Sequence, residues 1–333
     1  MWGNVGSNLP MEADATDPDT EEYLLWVLAD SNLPTGTCMG PTDLGGFIAS
    51  AGLESYHVHG FLTHDSKPGT TQQQVIQRTV EFVSFSLMNY VKSSLPYFYA
   101  AYRITRQFAH DTDLALRILS WLDWQHHTLI LNHVSRRASM IQGSALLSLY
   151  AKSFARPDHA ASRLIDQLRT NTRRGSAKLN NGSLSLQTKD ELAGHLAICS
   201  GVFSAAVGLS LDRALRQNLF LQARNIMSCS IRLNTIGPYM AHQLLTFQLR
   251  HLVGRNLELL DRSTCERLYD QACEQGQQQD QFAEAQQPET DEWDWDWFDG
   301  SKAASSTIPC TTWPLGEIVQ ARHDQLHSRL FNS

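Results

Sequence analysis

Thirteen histidines and six cysteines are the side chains of this 333-residue sequence best suited to nucleophilic or metal chemistry. His195 and Cys199 stand four residues apart. On one helix face that spacing suits a nucleophile with its base, or two ligands of one metal ion. His57, His59 and His64 fall together in SYHVHGFLTH, and His126 and His127 are adjacent. Imidazole is a good nickel ligand, but alternate histidines share a side only where the chain is extended. No third group completes the His195–Cys199 pair, and neither a His-Glu-x-x-His pair nor a Gly-x-Ser-x-Gly elbow occurs. The histidines therefore read as surface or hydrogen-bonded groups, with no metal site assigned. An enzyme built on Cys199 and His195 stays open as an alternative.

The elements that would position such groups are helical throughout. Leu211, Leu215, Leu219, Gln222, Ile226, Cys229 and Leu233 recur at three- and four-residue steps along one face of a long helix. Ala214, Leu221 and Met227 lie off that stripe, as expected of a helix central in its domain. The run then breaks at TIGPY, where Gly237 is expected to take a positive φ and Pro238 to open the next helix. Earlier, EEYLLWVLAD makes a short apolar helix, and TTQQQVIQRTVEFVSFSLMNYVKSS a longer one, with Pro96 either ending it or opening the next helix. The aromatic set Tyr97, Phe98, Tyr99, Tyr102 and Phe108 reads as core packing with LALRILSWLDW. In SRRASMIQGSALLSLYAKSF, Gly143 costs about 1 kcal/mol relative to alanine, which the close approach of another helix would explain. Arg169 to Leu186 reads as a polar, locally basic loop, and Asn256 to Ala272 as one further helix.

Composition places these helices in a globular chain. Hydrophobic residues make up 42% of the sequence, enough for a substantial core. No apolar run reaches the roughly 18 residues of a membrane span, and the first residues are acidic. The cysteines show no CxxC pair or regular spacing, which suits reduced thiols in the cytoplasm. Nine acids and no Lys or Arg fall between 274 and 300, so a net charge of −7 for the chain is +2 for everything else. No basic stripe suggests nucleic acid. The expected organisation is all-α: a disordered N-terminus over 1–20, one multi-helix domain over 21–273, a disordered Gln-, acid- and Trp-rich insertion over 274–311, and a C-terminal helix and tail over 312–333.

The segment SIRLNTIGPYMAHQLL, preceded by GH and GVFSAAVGL, resembles the signature half of the urease accessory protein F (UreF) family. Gly46, Phe47, Ser50, Gly52, Leu53 and Glu54 match a second family segment, with Thr37 to Gly45 standing as an apparent insertion before it. The closing Arg-Leu-Phe-x-Ser is similar to the tail of plant- and fungal-type members, and Arg136, Arg137, Ser139, Gln142 and Gly143 also fit the family pattern. The resemblance implies an all-helical, cytoplasmic homodimer that is not an enzyme. It further implies binding to the accessory protein H or D, recruitment of the GTPase G, and GTP-dependent nickel delivery to apo-urease. The chain has no phosphate-binding Gly-x-x-x-x-Gly-Lys-Ser/Thr loop, so nucleotide hydrolysis would belong to G. Nickel would be handled in passing, with no cofactor held tightly. The residues implied at partner surfaces are Arg232, Gly237, Pro238, Tyr239 and Gln243, Arg136 and Gly143, and Leu326, Arg329, Leu330 and Phe331 of the tail. Leu326, Leu330 and Phe331 would serve as apolar anchors in helix-in-groove docking. A generic helical adaptor unrelated to urease is the other alternative.

Overall fold

The structure is a computed structural model that describes residue 22 and residues 50–62, 71–156, 159–180, 192–282 and 309–331. Among these the regular elements are all helices. They are α1 Leu53–Val58, α2 Gln72–Ser93, α3 Leu95–Phe108, α4 Thr112–Leu129, α5 His133–Ser153 and α6 Ala160–Asn180. Then follow α7 Leu196–Ala206, α8 Leu211–Arg232, α9 Pro238–Leu244, a π turn Leu245–Leu249, α10 Arg250–Glu258, α11 Arg262–Phe282, α12 Pro314–Ala321 and a 3-10 turn Arg322–Gln325.

Local signals set most of the ends. Thr71 and Gln74 form a capping box that satisfies the first amides of α2. Pro96 sits in the first turn of α3, where its missing N–H costs nothing. Asp111 accepts from Leu114 N at 3.1 Å to cap α4, and Asn132 accepts from Val134 N and Ser135 N to cap α5.

Helix α3 divides two cores. Its Leu95, Phe98, Tyr99 and Tyr102 belong to a core shared with α1, α2, α8, α9 and α10. Its Tyr97, Ala100, Ala101 and Ile104 belong to a second core with α4, α6, α7 and α11. The aromatic run is thus core on both sides of one helix, and its closest neighbour along the length is α7. The α8 stripe is as expected, with Leu215, Leu219, Ile226 and Cys229 buried. Off that stripe Ala214 and Met227 are buried too, whereas Leu221 is exposed.

Three expectations need correcting. Residues 169–180 are helix: α6 runs through the polar stretch because Leu164, Ile165, Leu168, Asn171, Thr172 and Gly175 repeat at helical spacing and are all buried. Its buried stripe turns polar and small after Leu168, which hides the period from a hydrophobicity reading. The helix read as Asn256–Ala272 is two, broken at Leu259–Asp261, where Asp261 caps α11 by accepting from Ser263 N at 3.0 Å. Helix α11 then continues past residue 273 to Phe282, and Arg117 Nε donates to the Gly276 carbonyl at 3.2 Å. The described helix therefore extends nine residues beyond the expected boundary, and 283–308 lie outside the described residues, as do 1–21 and the Thr37–Gly45 stretch. Of the first apolar helix only Glu22 is described, paired with Arg213 at 3.2 Å.

Candidate functional site

The residues singled out at partner surfaces fall in three places. The first gathers around Glu54, a buried carboxylate in the first turn of α1. Its Oε2 takes a 2.8 Å hydrogen bond from His323 Nε2, a side chain with no exposed surface. The backbone amides of Leu330 and Phe331 donate to Oε1 and Oε2 at 2.6 and 3.2 Å. Ser55 Oγ beside it donates to the Val319 carbonyl at 2.6 Å. Helix α1 thus grips both α12 and the segment after it. Phe331 is drawn into the first core, and the Arg232 guanidinium lies over its ring, 5.6 Å from the centroid.

This arrangement corrects the tail expectation. After Gln325 the backbone is extended and bent instead of helical, so Leu326, Leu330 and Phe331 do not form one apolar face. Phe331 is buried in its own chain, Leu326 is half-buried, and Leu330 is 71% exposed. A carboxylate that accepts two consecutive amides favours an extended loop over a helix, in which those amides would be committed to carbonyls. Arg329 reaches Asp324 at 3.0 Å, and Arg137 of α5 meets the same carboxylate with both guanidinium nitrogens at 2.9 and 3.0 Å. That pairing with Arg137 holds the Asp324 carboxyl below the usual carboxylate range.

The second place is the α8–α9 break. Gly237 has φ −70° and ψ 154°, not the expected positive φ, and a Cβ built there meets nothing within 4 Å. The left-handed residue is Asn234, at φ 56°. The reason is local: a residue before proline is pushed to extended ψ, and Asn is the next best residue for the left-handed region. Pro238 opens α9 as expected, and Tyr239 and Gln243 stand exposed one turn apart on it, Tyr239 at 76%. Arg232 faces the tail, so the described geometry separates it in role from Tyr239 and Gln243.

The third place is buried. Arg136 donates from Nε and Nη2 to the Ile130 carbonyl at 2.9 and 2.6 Å, which ties the α4–α5 turn. Gly143 is closely approached within the chain: a Cβ there would stand 2.1 Å from the Gly194 carbonyl oxygen. Its neighbour His195 precedes α7 and pairs Nε2 with His127 Nδ1 at 3.0 Å and Nδ1 with Ser139 Oγ at 3.1 Å. Both imidazole nitrogens are engaged away from Cys199, and burial pushes the Cys199 thiol well up. The Cys199–His195 pair is therefore neither a nucleophile nor a base. His59 bonds the Ser55 carbonyl through Nδ1 at 2.7 Å, and His64 lies outside the described residues. Among the described residues no group of three or more His, Cys, Asp or Glu is arranged to hold a metal ion. No helix among them is long and apolar enough to cross a membrane.

Sequence reasoning missed the Glu54–His323 pair and the role of Asp123. Asp123 accepts from the amides of Gly194 and His195 at 3.0 and 2.9 Å and fixes the turn into α7. A carboxylate inside an apolar run, as in LSWLDW, was the available signal.

Removing Glu54 gives a direct test of the tail geometry. Glu54→Ala leaves the Leu330 and Phe331 amides and the His323 ring without their acceptor, the buried Phe331 amide and His323 ring each at a cost of about 1–3 kcal/mol. The expected result is faster trypsin cleavage after Arg322 and Arg329, with the helical signal of the rest retained. Unchanged cleavage at these arginines would show that Glu54 does not hold the segment.

Comparison with known proteins gives one family. The UreF family model matches residues 77–249, from α2 to the π turn. The chain is 32% identical to urease accessory protein 6 of Cryptococcus neoformans var. grubii, over 95% of this chain and 99% of that protein. It is 24% identical to urease accessory protein F of Arabidopsis thaliana over 94% and 92% of the two chains. It is also 25% identical to an uncharacterized UreF-like urease accessory protein of Schizosaccharomyces pombe over 67% and 77%.

Proposed function

The chain belongs to the UreF family of urease accessory proteins, and from that premise we propose that it acts as a helical scaffold in nickel insertion into urease. Members of the family are accessory proteins and not enzymes themselves. The finer reading is that a cytoplasmic homodimer of this chain binds the accessory protein H or D and recruits the GTPase G, whose GTP hydrolysis drives delivery of nickel to apo-urease. Nickel is cargo in this scheme. The observation that carries it is the match over nearly the whole of both chains to a fungal urease accessory protein.

The geometry suggests how a scaffold could expose a joint surface. Arg232 at the end of α8 and Phe331 of the tail are brought together although they lie far apart in sequence. A partner reading the outer side of Arg232 also senses whether the tail is seated, since Phe331 lies beneath the guanidinium. Arg232→Ala should keep the fold, because Arg232 is partly exposed and leaves no core cavity. Losing a charge-assisted contact to a partner carboxylate costs roughly 1.5–3 kcal/mol, or about ten- to hundredfold in affinity.

The test uses cells lacking the endogenous protein, in which urease activity and co-purification of H/D and G are measured together for the native chain and Arg232→Ala. The native chain should restore urease activity and retain both partners, and Arg232→Ala should retain H/D while losing most of G. A native chain that restores nothing and captures neither partner points to the unrelated adaptor. Full activation by a soluble Arg232→Ala variant removes the recruitment role from this residue.

A further inference from the structure

A cavity of about 190 Å³ lies where α2, α4, α5, α7, α8 and α12 meet. It is not sealed, since exposed Thr311 stands on its wall. The wall is mixed in character. Helix α2 supplies Ser86, Asn89 and Tyr90, and the carboxamides of Gln142, Gln222 and Gln320 come from α5, α8 and α12. Leu129, Ile130 and the Trp313 indole give it an apolar side. The imidazole on the wall, His126, is neutral at pH 7, because burial pulls it down to about 3. One wall side chain is left with a full charge, the carboxylate of Glu317 on α12, and no Lys or Arg borders the space.

Two features of this wall point to a ligand. Glu317 Oε1 accepts from Asn89 Nδ2 at 3.3 Å. Burial raises the Glu317 carboxyl above the usual range, and among the described residues only the neutral carboxamides of Asn89 and Asn132 pull the other way. A carboxylate that has given up water without gaining a counter-charge favours any cation able to reach it. The second feature is incomplete hydrogen bonding: Ser86 Oγ and His126 Nδ1 are buried with no partner. Groups left this way in a folded chain are completed by water or by a ligand. The size of the space bounds that ligand. An apolar cavity of about 150 Å³ takes up benzene, so about 190 Å³ suits roughly seven or eight heavy atoms. The apolar side fits an alkyl stem, and its indole is seated over Gly316, where a Cβ would stand 2.1 Å from the Trp313 ring. A cation beside an indole gains further from the ring face. A transition-metal ion is served poorly, because the wall offers one carboxylate and one imidazole, whose Nε2 is already paired with Ser94 Oγ at 3.1 Å.

We propose that this cavity is a binding site for a small primary ammonium compound with a short alkyl stem and a second polar group. Its ammonium pairs with Glu317, and the remainder meets the hydroxyls, carboxamides and apolar side chains of the wall. The assignment is independent of the accessory role and of the nickel scheme.

The test titrates the full chain with 5-aminopentan-1-ol and with pentane-1,5-diol, probes of equal heavy-atom count that differ only in the ammonium group. Phosphate buffer free of other amines is used, with calorimetry for affinity and saturation-transfer NMR for contact. The amine should bind roughly tenfold or more tightly than the diol, the preference expected of a charge-assisted hydrogen bond over a neutral one. Glu317→Gln keeps the side-chain size and an acceptor for Asn89, so it should bring the amine down to the affinity of the diol without lowering the thermal midpoint. Ser86→Leu fills the space from α2 and should abolish binding of both probes, with the helical signal retained. Four results overturn the proposal. Binding of neither probe to the native chain leaves a cavity that holds water only. Equal binding of the two makes it a site for neutral polar molecules. A preference for the amine that survives Glu317→Gln assigns it to another carboxylate, and full binding by Ser86→Leu places the amine outside the cavity.

Discussion

Replacing Gly143 by alanine is expected to lower the stability of the chain by about 3 kcal/mol, although the substitution improves the intrinsic helix propensity of α5. The added Cβ would lie 2.1 Å from the Gly194 carbonyl oxygen, 3.0 Å from the His195 carbonyl carbon and 3.1 Å from Cys199 Sγ. Two of these are backbone atoms, so no side-chain rotation relieves the contact. The turn cannot retreat freely either. Asp123 holds its two amides from the far side, and a Cβ at Gly194 would itself strike Thr172, which shows how tightly α6 closes behind it. Overpacking of this kind costs about 1–3 kcal/mol in ordinary cores, and a clamped backbone puts it at the upper end. For a chain of 333 residues that is a fall in thermal midpoint of roughly 4 °C. Gly237→Ala is the control, since its φ is ordinary and its surroundings are empty, and it should stay within about 0.5 kcal/mol of the native chain. Melting curves recorded side by side decide the matter. If both variants melt together, the close approach at Gly143 is not what its glycine serves.

Acidification from pH 7 to pH 5 should cost the chain several kcal/mol through the histidines packed around the same turn. Burial pulls His126 down to about 3 and His127 to about 4, and burial together with His126, His127 and Arg136 holds His195 well below its usual value. The unfolded chain takes up all three protons as pH falls through about 6.5, while the folded chain refuses them, so stability present above that pH is lost below it. Asp123 acts in the opposite sense. Burial pushes its carboxyl up to about 6 against the pull of the amides it accepts. Between about pH 4 and 6 it is the folded chain that holds this extra proton, and its contribution falls as pH rises through that window. Cys199, also close to Asp123, stays protonated throughout. Three protons against one leave a net loss on acidification of roughly 3 kcal/mol per pH unit, at about 1.4 kcal/mol for each unmatched proton. Urea unfolding at pH 7, 6 and 5 measures the slope, and His127→Gln should reduce it by one proton. A free energy of unfolding that is level across this range would remove the neutral histidine cluster from the stability of the fold.

Much of the helical plan was legible because its periods are written in large apolar residues. The α8 stripe, the α2 stripe and the aromatic run of α3 are of this kind, and Pro96 and Pro238 marked two helix starts. Beyond Arg169 the sequence of helix α6 reads as a loop because Asn171, Thr172 and Gly175 do the burying there, and small polar residues leave no hydrophobic trace. At the α8–α9 break two residues could have held the left-handed turn. The rule for a residue before proline, applied to Gly237, would have transferred it to Asn234. The tail failed for a different reason. Whether Phe331 is buried depends on an acceptor 277 positions earlier, and no local pattern in HSRLF carries that information. Of the residues implied at partner surfaces, the partly exposed Arg232 and the buried Phe331 stand apart in sequence, and only the structure joins them.

That same separation has a consequence for how the chain is made. Leu53 and Phe331 share one core, so the helix that bears Glu54 leaves the ribosome long before its counterpart exists. At about 5–20 residues per second the wait for those 277 residues is roughly 14–55 s. Over that interval the apolar side of α1 and the cavity meant for Phe331 stand uncovered while α2 to α11 assemble around them. The first core is begun early in synthesis and closed late, so its exposed interval is set by translation and not by the chain's own folding rate. Slowing translation downstream of α11 should therefore increase aggregation of nascent chains without altering the stability of the finished protein.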